Sequence, residues 1–175
     1  MHSMLELGTD HQPVHLVGFS MGGLLAIILA SRLPVGRLAL IAPPIRNRDR
    51  RLPFTPLVGL FISRSRREIL QPLPEDPWER LLAREYRGSR YPRQAAGILA
   101  LRRLARRALP LVRADTLTIA ARHDPYVPPS VIPFVESRLA AARTHHLVVE
   151  GGHRSPLEGN ERGLVRDEIV RWLVG

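Results

Sequence analysis

Short apolar runs alternate with helix-period segments at both ends of this chain. Val14-His15-Leu16-Val17 reads as a buried strand, and Gly23 to Ala30 reads as the apolar start of a helix. After Ser31-Arg32-Leu33-Pro34, the run from Arg37 to Ala42 is short and apolar, and Pro43-Pro44 closes it. From Asp115 the alternation resumes. Thr116 to Ala121 predicts a strand, Pro129 to Ala142 contains a helix, His146 to Glu150 predicts another strand, and Glu161 to Val174 predicts the last helix. Continuous apolar strands alternating with helices predict an α/β fold, with a mostly parallel sheet covered on both faces.

The middle of the chain breaks this rhythm. Proline is dense from Pro43 to Pro77, and helical spacing then returns over Asp76–Arg87 and Gln94–Leu109. In the second of these, Ile98, Leu99, Leu101, Leu104, Ala105 and Leu109 oppose Arg102, Arg103, Arg106 and Arg107, which makes a basic amphipathic helix. The organisation predicted is a core from residues 1–45 and 114–175, interrupted by a mostly helical insert over 46–113. No internal repeat is visible.

Composition adds three constraints. A chain of 175 residues, 45% of them hydrophobic, is long enough for one domain with a real core. Without cysteine it has no disulfide and no thiolate metal site. Met1 to Glu6 lacks a basic start followed by an apolar run, and Val14–Ala30 is short for a membrane crossing, so the expectation is a cytoplasmic protein.

The charge is unusual in kind and place. All 26 basic residues are arginine. Between Arg46 and Arg113 there are 17 arginines against 6 acids, whereas the remainder carries 9 and 10. Clustered arginine supplies phosphate contacts, but this segment has no nucleic-acid-binding motif and few aromatic residues, so no nucleic-acid partner is expected. A solvated basic surface is the plainer reading, with contact between the basic insert and a membrane surface as the alternative.

Gly18-Phe19-Ser20-Met21-Gly22 sits where the first strand turns into the first helix. The turn is cramped, and a Cβ at Gly18 or Gly22 is expected to collide with a neighbouring element. Such a turn lifts the Ser20 hydroxyl out of the packed layer as a candidate nucleophile and aims the Met21 N–H at a developing oxyanion. A serine needs a base, and the base needs an acid to fix its tautomer. In an open parallel sheet reactive groups gather past the carboxyl ends of strands. Asp124 follows one predicted strand and His153, in Gly151-Gly152-His153, follows another. Asp49 is the rival acid, and His123, His145 and His146 are the rival bases. None of the histidines has a metal-ligand spacing supported by carboxylates, so neither metal nor cofactor is expected.

GFSMGG after a strand, ARHDPYVPP after a later one and GGH near the end together resemble the α/β-hydrolase fold. Within it the chain is most similar to small bacterial carboxylesterases and monoacylglycerol-lipase-like enzymes, and LRRLARRALPLVRADTLTIAARHD resembles their helical cap running into the acid-bearing strand. The resemblance covers nearly the whole chain. It implies Ser20 as nucleophile, His153 as general base and then acid, Asp124 as orienting acid and Met21 N–H as an oxyanion donor. It also implies a small-molecule acyl ester as substrate. Apolar insert residues such as Leu57, Leu60, Phe61, Ile62, Leu99 and Leu101 are candidates for an acyl pocket.

One departure from that pattern matters. Only 13 residues precede the serine strand, and no His-Gly dipeptide supplies a second oxyanion donor. Met1 to Leu7 resembles the tail of a helix entering that strand, so an N-terminally truncated hydrolase is expected, with roughly two βαβ units of about 30 residues missing. The serine strand then becomes an exposed apolar edge. Loss of one oxyanion donor lowers turnover by about 10²–10³-fold. The alternative is a non-catalytic hydrolase remnant whose basic insert binds anionic surfaces.

Overall fold

The computed structural model describes residues 13–47, 65–66, 80, 84, 89–90, 92–140 and 143–175. Residues Met1–Asp49 and Leu101–Gly175 make one compact unit, and Arg50–Ala100 make a second. The elements of the first unit begin with β1 (Leu16–Phe19), α1 (Met21–Ala30) and β2 (Arg37–Ile41). In the second unit β3 (Ser65–Arg66) and β4 (Ser89–Arg90) form a two-residue antiparallel ladder. Helix α2 (Pro92–Ala108) is followed by a 3₁₀ turn at Leu109–Leu111, then β5 (Asp115–Ala121), α3 (Val131–Glu136), β6 (Thr144–Val149), α4 (Ser155–Glu158) and α5 (Arg162–Val174).

The sheet order is β1-β2-β5-β6, and all three pairings are parallel. Because side chains alternate across a strand, the register sorts the core into two layers. Ala39, Ile41, Leu117, Ile119, Ala121 and Val149 share one face with Val165 of α5, and Phe19, Leu147, Ile169 and Trp172 pack against them. Leu38, Leu40 and Ala120 point the other way and are fully buried as well. Burial on both faces explains why the strands read as continuous apolar runs rather than alternating ones. On this second face α3 packs on β5, and α1 packs on β1 and β2.

Element boundaries differ from the sequence reading for local reasons. The β1 ladder starts at Leu16, paired with Leu38, because the Val14 carbonyl accepts the Gly36 N–H at 2.9 Å instead of joining it. Helix α1 begins at Met21 rather than Gly23, since the strand-to-helix turn takes a single residue, Ser20. Helix α3 is only six residues long. Its Pro133 lies in the first turn, where a missing N–H leaves no intrahelical bond unmade. The short helix α4 was not expected from the pattern. Arg80 and Arg84 are helical, while the rest of Asp76–Arg87, Met1–Leu7 and Leu57–Ile62 lie outside the described residues.

Among the described strands β1 lies at an edge of the sheet, and its Val17 is half exposed. On the adjoining helix Met21, Leu25 and Leu29 are exposed at helical spacing. No helix among the described residues is long and apolar enough to cross a membrane.

Leu117 is wholly buried in the layer under α5, whereas Leu164 on that helix is exposed. Leu117→Ala is expected to lower unfolding free energy by about 2–5 kcal/mol through lost burial and a residual cavity. Leu164→Ala should change it by less than about 0.5 kcal/mol. Urea denaturation followed by circular dichroism checks both.

Candidate active site

The serine turn is built by crowding. Ser20 has φ 50° and ψ −121°, a conformation that costs a non-glycine residue on the order of 1–3 kcal/mol. Two backbone bonds hold it there: Ser20 N–H donates to the Ile41 carbonyl at 2.8 Å, and the Ser20 carbonyl accepts the Gly23 N–H at 2.9 Å. The turn also forces β1 against the start of α1. A Cβ on Gly18 would lie 2.6 Å from the Gly22 carbonyl oxygen and 2.7 Å from Gly23 Cα, so only glycine fits.

The second crowded glycine is not the one the spacing predicts. An added Cβ at Gly22 meets nothing within 4 Å among the described residues. At Gly23 it would come within 3.0 Å of Pro43 Cβ and 3.2 Å of the Gly18 carbonyl oxygen. The helix axis turns Gly22 outward and Gly23 toward β1 and the segment after β2. The expectation of a collision at Gly22 is therefore corrected to Gly23.

Asp124 and His153 are brought together by an extension of the β5–β6 pairing. Beyond the last ladder pair, Ala121 with Val149, Arg122 N–H donates to the Val149 carbonyl and His123 N–H to the Gly151 carbonyl, both at 2.9 Å. The two loops thus leave the sheet side by side. Gly151 takes φ 92°, and a Cβ there would sit 2.3 Å from Ser155 Oγ, which accepts the Gly152 N–H at 2.8 Å. A glycine is needed to fold the loop back at this point.

Asp124 divides its two oxygens. Oδ1 accepts the Tyr126 and Val127 N–H groups at 2.7 and 2.9 Å, which caps the turn around Pro125. Oδ2 lies 2.6 Å from His153 Nδ1. The carboxyl is fully buried. Burial by itself pushes its pKa up, but the bonds from His153, Val127 and Tyr126 together outweigh that and hold it below the ordinary value. As a carboxylate it only accepts, so His153 Nδ1 carries the proton and Nε2 is left as acceptor. That nitrogen lies 2.9 Å from Ser20 Oγ, and the hydroxyl is placed to donate to it.

The rival residues are engaged elsewhere. His123 Nε2 meets Glu150 at 3.3 Å, His145 meets Glu168 of α5 at 3.1 Å, and His146 meets Glu136 of α3 at 3.0 Å. The pairings of His145 and His146 on different helices agree with their alternation across β6. Asp49 lies outside the described residues. Two aromatic neighbours were not singled out in the sequence. The Phe19 ring centroid is 5.2 Å from that of His153, and Tyr126 approaches the imidazole edge-on at 5.4 Å. Both sit one or two positions from a singled-out residue, inside GFSMG and HDPYV, which is the signal that points to them. Met21 opens α1, and a first-turn N–H has no intrahelical acceptor.

The alpha/beta hydrolase family model matches residues 3–167, and the chain belongs to that family. No curated protein matches the chain. Among solved structures it is similar to a metagenome-derived lipolytic enzyme (TM-score 0.73, 16% identity, 95% of this chain and 68% of that one). The monoacylglycerol lipase of Paleococcus ferrophilus aligns with TM-score 0.67 and 15% identity over 91% of this chain and 67% of its own. A soluble variant of the Saccharomyces cerevisiae monoglyceride lipase, solved with a substrate analogue, aligns with TM-score 0.69 and 14% identity over 97% and 64%. The chain thus spans about two thirds of the length of these enzymes. At such identities the likeness is one of fold.

Two outcomes follow from this geometry. Gly18→Ala is expected to destabilise by about 1–3 kcal/mol through backbone overlap, whereas Gly22→Ala should be neutral or stabilising by up to about 1 kcal/mol. Urea midpoints of the two variants distinguish the crowded glycine from the open one. The second outcome concerns acid. Because folding lowers the Asp124 pKa, its stabilisation is complete above the unfolded carboxyl value of about 3.9 and is lost as pH falls through the lower folded value. Asp124→Asn should therefore be less stable than wild type at neutral pH, and the gap should close below about pH 4. A gap that stays constant into acid contradicts the assignment.

Proposed function

We propose that this chain is a serine hydrolase that cleaves carboxylic esters through an acyl-enzyme intermediate. The observation that carries the reading is the continuous line of hydrogen-bonded atoms from Asp124 Oδ2 through His153 to Ser20 Oγ, at 2.6 and 2.9 Å. The nucleophile stands in a strained turn at the head of α1. The family and the lipases and esterases of similar fold support the same class of chemistry.

The steps follow from the groups present. Ser20 Oγ attacks the ester carbonyl carbon while its proton passes to His153 Nε2. Asp124 keeps Nδ1–H pointed at itself and stabilises the imidazolium that forms. Negative charge develops on the carbonyl oxygen, and the Met21 N–H at the positive end of α1 is one donor for it. Collapse of the tetrahedral intermediate breaks the ester C–O bond, and His153 returns the proton to the departing alkoxide. Water, deprotonated by His153, then attacks acyl-Ser20 and releases the acid. Phe19 and Tyr126 both pack against the imidazole, which helps both ring nitrogens keep their partners.

The test is hydrolysis of p-nitrophenyl butyrate by the 175-residue protein. Ser20→Ala is expected to lower kcat/KM by about 10⁴-fold or more, and Asp124→Asn by a comparable factor through the wrong imidazole tautomer. An early burst of p-nitrophenol is expected if acyl-Ser20 accumulates. No release by the wild-type chain, or release unaltered by Ser20→Ala, contradicts the proposal.

A further inference from the structure

Away from Ser20, three guanidinium groups converge on one phenyl ring. The Cζ atoms of Arg46, Arg106 and Arg138 lie 5.5, 5.3 and 3.9 Å from the centroid of Phe134. They come from three separate stretches: the segment after β2, helix α2, and the turn after α3. We propose that Arg46, Arg106 and Arg138, gathered on Phe134, form a binding site for a phosphate group.

The arrangement opposes its own electrostatics. Like charges brought to one ring repel, and the attraction of each to the aromatic face works against that repulsion. Burial, and after it the nearby Arg46 and Arg138, depress the pKa of Arg106. Arg122, Arg143, Arg154, Arg166 and Arg171 each meet a carboxylate. Among the described residues none of the three around Phe134 has an ion pair with a carboxylate. In the proposed site a bound anion supplies a counter-charge to the three guanidinium groups.

Local bonds preset the donors for that anion. Arg106 Nε donates to the Ile45 carbonyl at 3.0 Å, which fixes the guanidinium plane and leaves its two terminal nitrogens as a fork. Arg138 lies on the ring, and its NH1 also donates to the Phe134 carbonyl at 3.3 Å and to Ser137 Oγ at 3.1 Å. The half-buried Phe134 stands on a helix anchored by buried Val131, Ile132 and Val135. A platform of this kind reduces the ordering cost of binding.

The number and shape of the donors select the ligand class. One carboxylate is planar and is satisfied by a single guanidinium fork. Three guanidinium groups gathered on one ring offer more donors than a carboxylate can take, and they suit a tetrahedral group with up to three charged oxygens, such as a phosphate monoester or the headgroup of an anionic phospholipid. Arg102, one turn before Arg106 on α2, adds to the positive field.

The experiment is isothermal titration of the 175-residue protein with inorganic phosphate at constant ionic strength, with chloride and acetate as controls. Phosphate is expected to bind one equivalent and more tightly than either control. Arg106→Gln should weaken it about tenfold or more. Arg106→Lys should also weaken it by losing the fork, while Arg166→Gln, whose partner is Asp167, should not. Unchanged urea midpoints keep the arginine variants interpretable. Phosphate binding no tighter than acetate, or binding unaffected by Arg106→Gln, overturns the site.

A second arm identifies the source of the phosphate. Vesicles of phosphatidylcholine with and without phosphatidic acid are sedimented with the protein. Phosphatidic-acid-dependent capture that free phosphate reverses and Arg106→Gln abolishes assigns a lipid headgroup. Titration by phosphate without vesicle capture assigns a soluble phosphate ester. Neither arm reads ester turnover, so this site stands or falls apart from the chemistry at Ser20.

Discussion

The parallel pairing of β5 with β6 continues past its last ladder pair through the Arg122–Val149 and His123–Gly151 backbone bonds, and the candidate site depends on that continuation. Without it Asp124 and His153 sit on two independent loops. With it, both leave the sheet in register, and a 2.6 Å contact between their side chains needs no further scaffolding than Gly151 and Ser155. The buried carboxylate then becomes sustainable, because three donors converge on its two oxygens. Sheet register is in this way converted into the tautomer of one imidazole.

The serine side of the site is assembled by the opposite means. Ser20 is held by strain rather than by extended pairing, in a turn closed by Gly18 and Gly23 and tethered to the end of β2. Stability is given up there for position, as is common at reactive turns. The cost is supported by a core in which both faces of β2 and β5 are buried. Rigid strands and a strained turn meet at one hydrogen bond, His153 Nε2 to Ser20 Oγ.

Much of this was legible in the sequence because it depends on local punctuation. Apolar runs ending in Gly-Phe-Ser, Arg-His-Asp and Gly-Gly-His mark three strand ends, and a parallel sheet carries all such ends to one side. What the sequence hid depends on orientation or on distant contacts. Whether Gly22 or Gly23 faces the strand is a matter of helix rotation, and spacing alone misassigned it. The one-residue turn at Ser20 moved the helix start, and the packing of Phe19 and Tyr126 against His153 needed three dimensions. The gathering of Arg46, Arg106 and Arg138 on Phe134 joins residues far apart in the chain. In the sequence those arginines were only part of a general basic surplus.

The most direct test of the central claim is labelling with a fluorophosphonate, in which an activated serine displaces fluoride and retains the phosphonyl group. The account predicts a single adduct, mapped by peptide mass spectrometry to Ser20, lost in His153→Ala although the serine remains. An adduct on another serine, or labelling of Ser20 that does not depend on His153, would contradict it.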